Sequence, residues 1–283
     1  MADIDVARSV ADLRERVAAW RRAGETVALV PTMGALHEGH LSLICQGKAT
    51  CGRVVSSVFV NPTQFAPHED FDAYPRDENG DAAKLALAGC DLLYTPTVRE
   101  MYPEGFATAI MVGGVSQGLC GQFRPQMFGG VAVVVTKLLL QALPDVAIFG
   151  EKDYQQLQVI RRLARDLDIP VRIDGGATVR EADGLAMSSR NQYLTDDERR
   201  RAPELYRALT DAAPVLADGV PAAAVLAQAR ARLQAAGFGK IDYIELRDAE
   251  TLQPIERVEK PARLLAAAWM GKARLIDNVP VAP

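Results

Sequence analysis

Two of the three histidines, His37 and His40, stand one helical turn apart in the segment Pro31-Thr32-Met33-Gly34-Ala35-Leu36-His37-Glu38-Gly39-His40. The apolar run 27–30 before them reads as a buried strand, and Leu41, Leu43 and Ile44 after them open a helical pattern. The pair thus falls at a strand-to-helix junction. There, unpaired backbone N–H groups and the positive end of the helix dipole favour an anion, and Gly39 lets a nucleotide come close. A nucleotide phosphate is the expected ligand.

Other groups able to do chemistry follow further apolar runs: Asn61-Pro62-Thr63-Gln64-Phe65, Gly150-Glu151-Lys152-Asp153, and, much later, Ser188-Ser189-Arg190. Each has an ordinary structural reading as well. A histidine can cap a helix, Asn61-Pro62 can simply open a turn, Lys152 and Asp153 can be a solvated pair, and 188–190 can be a surface loop. Arg199-Arg200-Arg201 reads as a solvated helix face. Neither G-x-x-x-x-G-K-[ST] nor G-x-G-x-x-G is present, which removes P-loop ATPases and standard dinucleotide dehydrogenases. A metal hydrolase on His37, His40 and His68 lacks the H-E-x-x-H spacing, so no metal ligands are assigned. Cys45, Cys51, Cys90 and Cys120 show no C-x-x-C spacing and read as buried thiols in a reducing compartment.

The elements that must position these groups alternate. Short β-branched runs at 27–30, 54–60, 91–94, 110–112 and 146–149 are mostly separated by helical patterns, which implies a Rossmann-like α/β fold with a doubly wound, mainly parallel sheet. Ligands of such sheets collect at the carboxyl ends of the strands, where the polar segments above fall. Beyond Gly175-Gly176 the rhythm changes. Thr195-Asp196-Asp197-Glu198 fits a capping box, 222–236 is an alanine-rich helix, and 241–246, 263–269 and 274–276 are strand candidates. The expectation is a domain over 1–175 and a smaller α+β domain over 176–283, hinged near Gly175–Gly176 and closing over the nucleotide.

A length of 283 residues, 49% hydrophobic and 24% charged, suffices for two cores, and the mild net charge of -4 argues against a general nucleic-acid or membrane surface. Met1-Ala2-Asp3-Ile4-Asp5 is acidic where a secretion signal would be basic, and no apolar run approaches the roughly 20 residues that span a bilayer. A cytoplasmic protein is expected.

PTMGALHEGH, VFVNPTQF, FGEKDYQQL and DGLAMSSRNQYL, in this order and spacing, closely resemble the pantoate–β-alanine ligase (pantothenate synthetase) family, within the H-x-G-H nucleotidyltransferases related to class I aminoacyl-tRNA synthetases. The resemblance covers nearly the whole chain. It implies that the carboxylate of (R)-pantoate attacks the α-phosphate of ATP, with Mg²⁺ accompanying the nucleotide, to give a pantoyl adenylate and pyrophosphate. The amine of β-alanine then displaces AMP. By the same resemblance His37, His40, Lys152, Ser188, Ser189 and Arg190 handle the phosphates, the last three as a counterpart of the K-M-S-K-S loop. Gly39, Gly150, Asp153, Val179 and Met33 lie along ATP, with Asp153 on a ribose hydroxyl. Gln64 and Gln156 hold pantoate, Met33 and Phe59 wall its gem-dimethyl group, and Asn61 and Tyr74 make second-substrate or loop contacts. The resemblance also implies a homodimer. The chain departs from the family's L-[EC]-G-x-x-R-P-x-H-F at Met127, which replaces the histidine and fills its space without donating a hydrogen bond.

Two competing readings differ in testable ways. Another H-x-G-H adenylyl or cytidylyl transferase would share the phosphate residues but differ at Gln64 and Gln156. A nucleotide-binding scaffold would bind ATP without releasing pyrophosphate.

Overall fold

The computed structural model describes residues 4–66 and 71–283; the acidic start 1–3 and His68 lie outside them. In chain order the first elements are β1 (Asp5–Ala7), α1 (Val10–Arg22), β2 (Val27–Thr32), α2 (Glu38–Thr50), β3 (Arg53–Val58), α3 (Glu78–Leu87), β4 (Leu92–Tyr94) and α4 (Val98–Met101). Then come α5 (Leu119–Phe123), α6 (Met127–Ala142), β5 (Val146–Gly150), α7 (Tyr154–Asp166) and β6 (Arg172–Gly176). The chain ends with α8 (Asp196–Arg201), α9 (Glu204–Ala217), α10 (Ala222–Ala235), β7 (Ile241–Asp248), β8 (Ala262–Met270) and β9 (Ala273–Val281). They form two compact units. The first holds the residues up to Val112, Arg124–Glu151 and Val159–Ala177; the second holds Gly113–Phe123, Lys152–Gln158 and Thr178–Pro283.

The first unit is built on a six-stranded sheet in the order β1-β4-β3-β2-β5-β6, every neighbouring pair parallel. From β2 the chain proceeds to β3 and β4 on one side, then to β5 and β6 on the other. The carboxyl ends of β2 and β5 therefore flank the switch point at which such sheets take ligands. Val27, Ala28, Leu29 and Val30 are all fully buried, which is why this strand is an unbroken apolar run rather than an alternating one.

The expected strand at 110–112 is absent. Those residues lie in irregular backbone and Met111 is 94% exposed. β-branched side chains favour a strand only where a partner and a packing surface exist. Conversely β1 and β6, which the apolar pattern did not reveal, are the two edge strands, reading Asp-Val-Ala and Arg-Ile-Asp-Gly-Gly. An edge strand buries less and needs fewer apolar residues.

The glycine pair near which a hinge is expected lies at the end of β6. Gly175 and Gly176 are paired strand residues, opposite Phe149 and Gly150. A Cβ on Gly176 would come within 2.1 Å of Leu43 Cδ2, so this glycine lets α2 lie against β6. Its smallness serves packing.

The second unit centres on an antiparallel sheet, β7-β8-β9. Leu205, Leu209 and Leu216 of α9 and Leu233 of α10 share a core with Leu264, Ala266, Ala268 and Leu275 of the sheet. A single cut at 175/176 does not describe this unit, because 113–123 and 152–158 belong to it. Gln155, 4% exposed, accounts for much of that. Its Oε1 accepts from Cys120 N at 2.9 Å, and its Nε2 donates to the carbonyls of Val115 (3.1 Å) and Gly118 (3.2 Å). Tyr154 OH donates to Ala249 O at 2.8 Å, and the Phe123 ring lies 6.3 Å from that of Tyr243.

Three cysteines are buried as expected, but Cys45 is exposed. Burial pushes the Cys90 thiol up to about 12, so it is inert at neutral pH.

Candidate active site

The histidine pair does cap its helix. His37 is the N-cap residue of α2, its Nδ1 accepting from Gly39 N at 3.2 Å, while His40 Nδ1 accepts from His37 N at 3.3 Å. The rings lie 4.1 Å apart. This reciprocal arrangement is a capping box made of imidazoles. It also decides their chemistry. An Nδ1 that accepts a backbone N–H is unprotonated, so in the neutral ring the proton sits on Nε2, and each histidine is an Nε2–H donor at a helix N-terminus.

The loop before this cap is fixed from α3. Asp81, 2% exposed, accepts from Ala35 N (2.9 Å) and Leu36 N (2.8 Å), and Lys84 Nζ donates to Leu36 O at 2.7 Å. Sequence reasoning missed both residues, because Asp81 in the first turn of a helix looks like ordinary dipole compensation.

The segment after β3 forms a second constellation in the same unit. Gln64 Nε2 donates to Met33 Sδ at 2.7 Å, and its Oε1 accepts from Asn61 Nδ2 at 3.2 Å. Asn61 itself is 1% exposed. Its Oδ1 accepts from Tyr102 OH (2.7 Å), Thr63 Oγ1 (3.0 Å) and Thr63 N (3.3 Å), and its Nδ2 also donates to Gly130 O (3.2 Å). Burial raises the Tyr102 pKa, so the phenol stays protonated and donates. Asn61 is therefore engaged at both polar atoms of its side chain inside the protein and orients Gln64. Close approach requires Gly130, where a Cβ would meet Thr63 O at 2.4 Å. Phe59 is buried 6.2 Å from the Tyr102 ring, and Tyr74 is buried edge-on against Phe65. Met127 accepts from Arg124 Nη1 at 2.6 Å through its thioether, and Arg124 Nη2 donates to Gln64 O at 3.4 Å.

Gly150, at the end of β5, has open space where a Cβ would project: apart from its chain neighbours, no atom of the described residues would lie within 4 Å of it. Beyond it, in the second unit, Lys152 Nζ lies 3.8 Å from Asp153 Oδ2, with the lysine 21% and the aspartate 44% exposed. Gln156 is half-buried on α7.

Ser188 caps a helical turn over Ser189–Tyr193, its Oγ accepting from Arg190 N at 3.3 Å. A narrow hairpin precedes it: Met187 N donates to Val179 O at 3.0 Å, and Glu181 N to Leu185 O at 2.8 Å. Arg199 pairs with Asp183 of this hairpin and holds its carboxyl below the usual range, while Arg200 and Arg201 pair with Asp197, so none of the three consecutive arginines is simply solvated. Thr195 and Glu198 form the expected capping box.

Among the described residues no group of three or more His, Cys, Asp or Glu could hold a metal ion, and no helix is long and apolar enough to cross a membrane.

The model of the Pantoate-beta-alanine ligase family matches residues 5–280. The chain belongs to this family. It is 62% identical over 280 residues to the pantothenate synthetase of Paramagnetospirillum magneticum, covering 99% of both chains, and 58% identical over 279 residues to that of Caulobacter vibrioides, covering 98% of each. Among solved structures, pantothenate synthetase from Thermus thermophilus superposes with a TM-score of 0.93 at 47% identity, over 99% of this chain and 100% of that one. Pantoate-beta-alanine ligase from Francisella tularensis, complexed with beta-gamma ATP and beta-alanine, superposes with a TM-score of 0.82 at 32% identity, over 98% of this chain and 97% of that one.

Proposed function

We propose that the protein condenses (R)-pantoate with β-alanine in an ATP-dependent, two-step reaction through a pantoyl adenylate, releasing pyrophosphate and then AMP. The observation that carries the reading is the imidazole capping box at the carboxyl end of β2, in a chain that matches the ligase family from residue 5 to 280.

In the first step the pantoate carboxylate attacks the α-phosphate and negative charge grows on the departing pyrophosphate. Oriented donors stabilise such charge best. His37 and His40 supply two Nε2–H groups and the α2 N-terminus, Lys152 supplies a cation, and Ser188, Ser189 and Arg190 grip the distal phosphates. The room beside Gly150 supports its place along the nucleoside, with Gly39, Met33 and Val179, and Asp153 takes a ribose hydroxyl. Mg²⁺ accompanying the ATP would be held mainly by the phosphate oxygens and would neutralise part of their charge.

Gln64 and Gln156 hold the pantoate hydroxyl and carboxylate, and Met33 and Phe59 wall its methyl groups. Tyr74 makes a second-substrate or loop contact. Asn61 works through Gln64 rather than by touching β-alanine. In the second step the amine needs only to lose a proton and to be held in register, which is mainly a gain from proximity. The protein works in the cytoplasm as a homodimer.

Pyrophosphate release from Mg-ATP and (R)-pantoate, with and without β-alanine, tests this. Stoichiometric release with pantoate alone, becoming continuous turnover to pantothenate and AMP on adding β-alanine, is the expected result. No release under either condition from folded protein overturns it.

A further inference from the structure

Asp277 and Asn278 are neighbours in β9, each 3% exposed, in the middle of a strand whose other buried side chains are apolar. Successive strand residues point to opposite faces of a sheet. Asp277 faces the same side as Leu275 and Val279, which line the core shared with α9 and α10. Asn278 faces the other side.

On the first side, Asp277 Oδ2 and Oδ1 accept from Arg180 Nη1 (2.6 Å) and Nη2 (2.9 Å). The Arg180 guanidinium lies 3.6 Å over the Tyr206 ring and donates to Gly184 O at 3.1 Å. Arg180 forms an antiparallel bridge with Ala186, at the base of the hairpin that leads into Ser188. Asp277 thus fixes the entrance to the 188–190 turn.

On the opposite side, Asn278 Nδ2 donates to the carbonyl of Lys152 at 3.0 Å, and its Oδ1 accepts from Arg263 Nε at 2.6 Å. Arg263 in turn lies 4.2 Å over the ring of Tyr154. The Lys152-Asp153-Tyr154 segment is therefore held at both ends by this one network.

We propose that Asp277 and Asn278 are positioning residues which set the spacing between Lys152 and the 188–190 turn, using the pleat of β9 as the spacer between them. Neither touches substrate. Each orients one phosphate-handling element from its own face of the sheet, and misplacing either element by about an ångström is enough to cost on the order of a hundredfold in rate. The inference rests on the phosphate roles given above to Lys152, Ser188, Ser189 and Arg190.

The test is a double-mutant cycle read by single-turnover pyrophosphate formation from Mg-ATP and (R)-pantoate, with the KM for pantoate measured alongside. Asn278→Asp keeps the acceptor for Arg263 but replaces the donor to Lys152 O with a repelling oxygen. It is expected to slow adenylation about a hundredfold in the parent, leave the KM for pantoate within about a factor of two, and cause no further loss in a Lys152→Ala background. Asp277→Asn is expected to behave likewise toward an Arg190→Ala background. Should Asn278→Asp fail to fold, Asn278→Ala removes the same donor without adding charge. An unchanged rate in the single variants, or the same fold-loss in both backgrounds, overturns the positioning role. Full activity in Lys152→Ala would instead overturn the phosphate reading itself, and the inference with it.

Discussion

The α2 corner of the first unit and the hairpin over 179–187 of the second each deliver polar groups from the mouth of a capped helical turn, yet they are secured in different ways. At the α2 corner the decisive bonds are local: His37 to Gly39, and His40 back to His37, with Asp81 and Lys84 bracing the loop from α3. The hairpin hangs on Arg180 and Asp277, 97 residues apart. A short motif can therefore encode the imidazole cap itself, whereas the hairpin's anchor exists only once the antiparallel sheet has formed.

The largest effect should come at the chemistry. His40→Ala or Lys152→Ala is expected to lower pyrophosphate formation by about 10²–10³-fold, as the loss of one charge-stabilising donor does elsewhere, with circular dichroism and the melting transition retained. Near-normal turnover in either variant would leave that half of the comparison without a function.

The next contrast concerns stability. Arg180→Ala strands Asp277 as a buried, uncompensated carboxylate and should cost about 3–5 kcal/mol in urea denaturation. Asp81→Ala leaves two backbone N–H groups without their acceptor and should cost less, about 2–3 kcal/mol. The opposite ranking would mean that the hairpin is not hung on its long-range ion pair.

Gly176→Ala separates packing from motion. Crowding against Leu43 predicts a loss of about 1–3 kcal/mol in stability with turnover per folded molecule unchanged. A fall in turnover at unchanged stability would assign this glycine to a hinge instead.

The smallest effect concerns acid. Asp183 has its pKa lowered by the Arg199 hydrogen bond, so its contribution is present above the ordinary carboxylate pKa of about 3.9 and is lost as pH falls through the lowered native value. The pair is partly exposed, so Asp183→Asn should cost under about 1 kcal/mol at pH 7, and the difference from the parent should vanish at the acid end of the titration. A difference that persists there would show that the bond, not the charge, ties the hairpin to α8.

The same contrast explains how much could be read from the chain alone. The buried parallel strands announce themselves as apolar runs, and the Thr195 capping box and the His37 corner are legible because their partners lie within three residues. Edge strands β1 and β6 are too polar to stand out. The run at 110–112 has strand-forming residues but no partner strand among the described residues. Asp81, Gln155, Asp277 and Asn278 could not be singled out, since a buried polar residue looks like any other until its distant partner is known. Gly176 is ambiguous for a related reason: smallness demanded by a neighbouring helix and smallness demanded by a bend are written with the same letter.

The membership of 113–123 and 152–158 in the second unit bears on how this chain can be divided or recombined. A fragment starting at Thr178 would carry the antiparallel sheet without Phe123 against Tyr243 and without Tyr154 beneath Arg263, and Asn278 would lose its carbonyl partner. One face of that sheet would be stripped of its cover. The C-terminal segment is thus not a transplantable module. A graft between relatives should exchange the three pieces of the unit together or leave all of them in place.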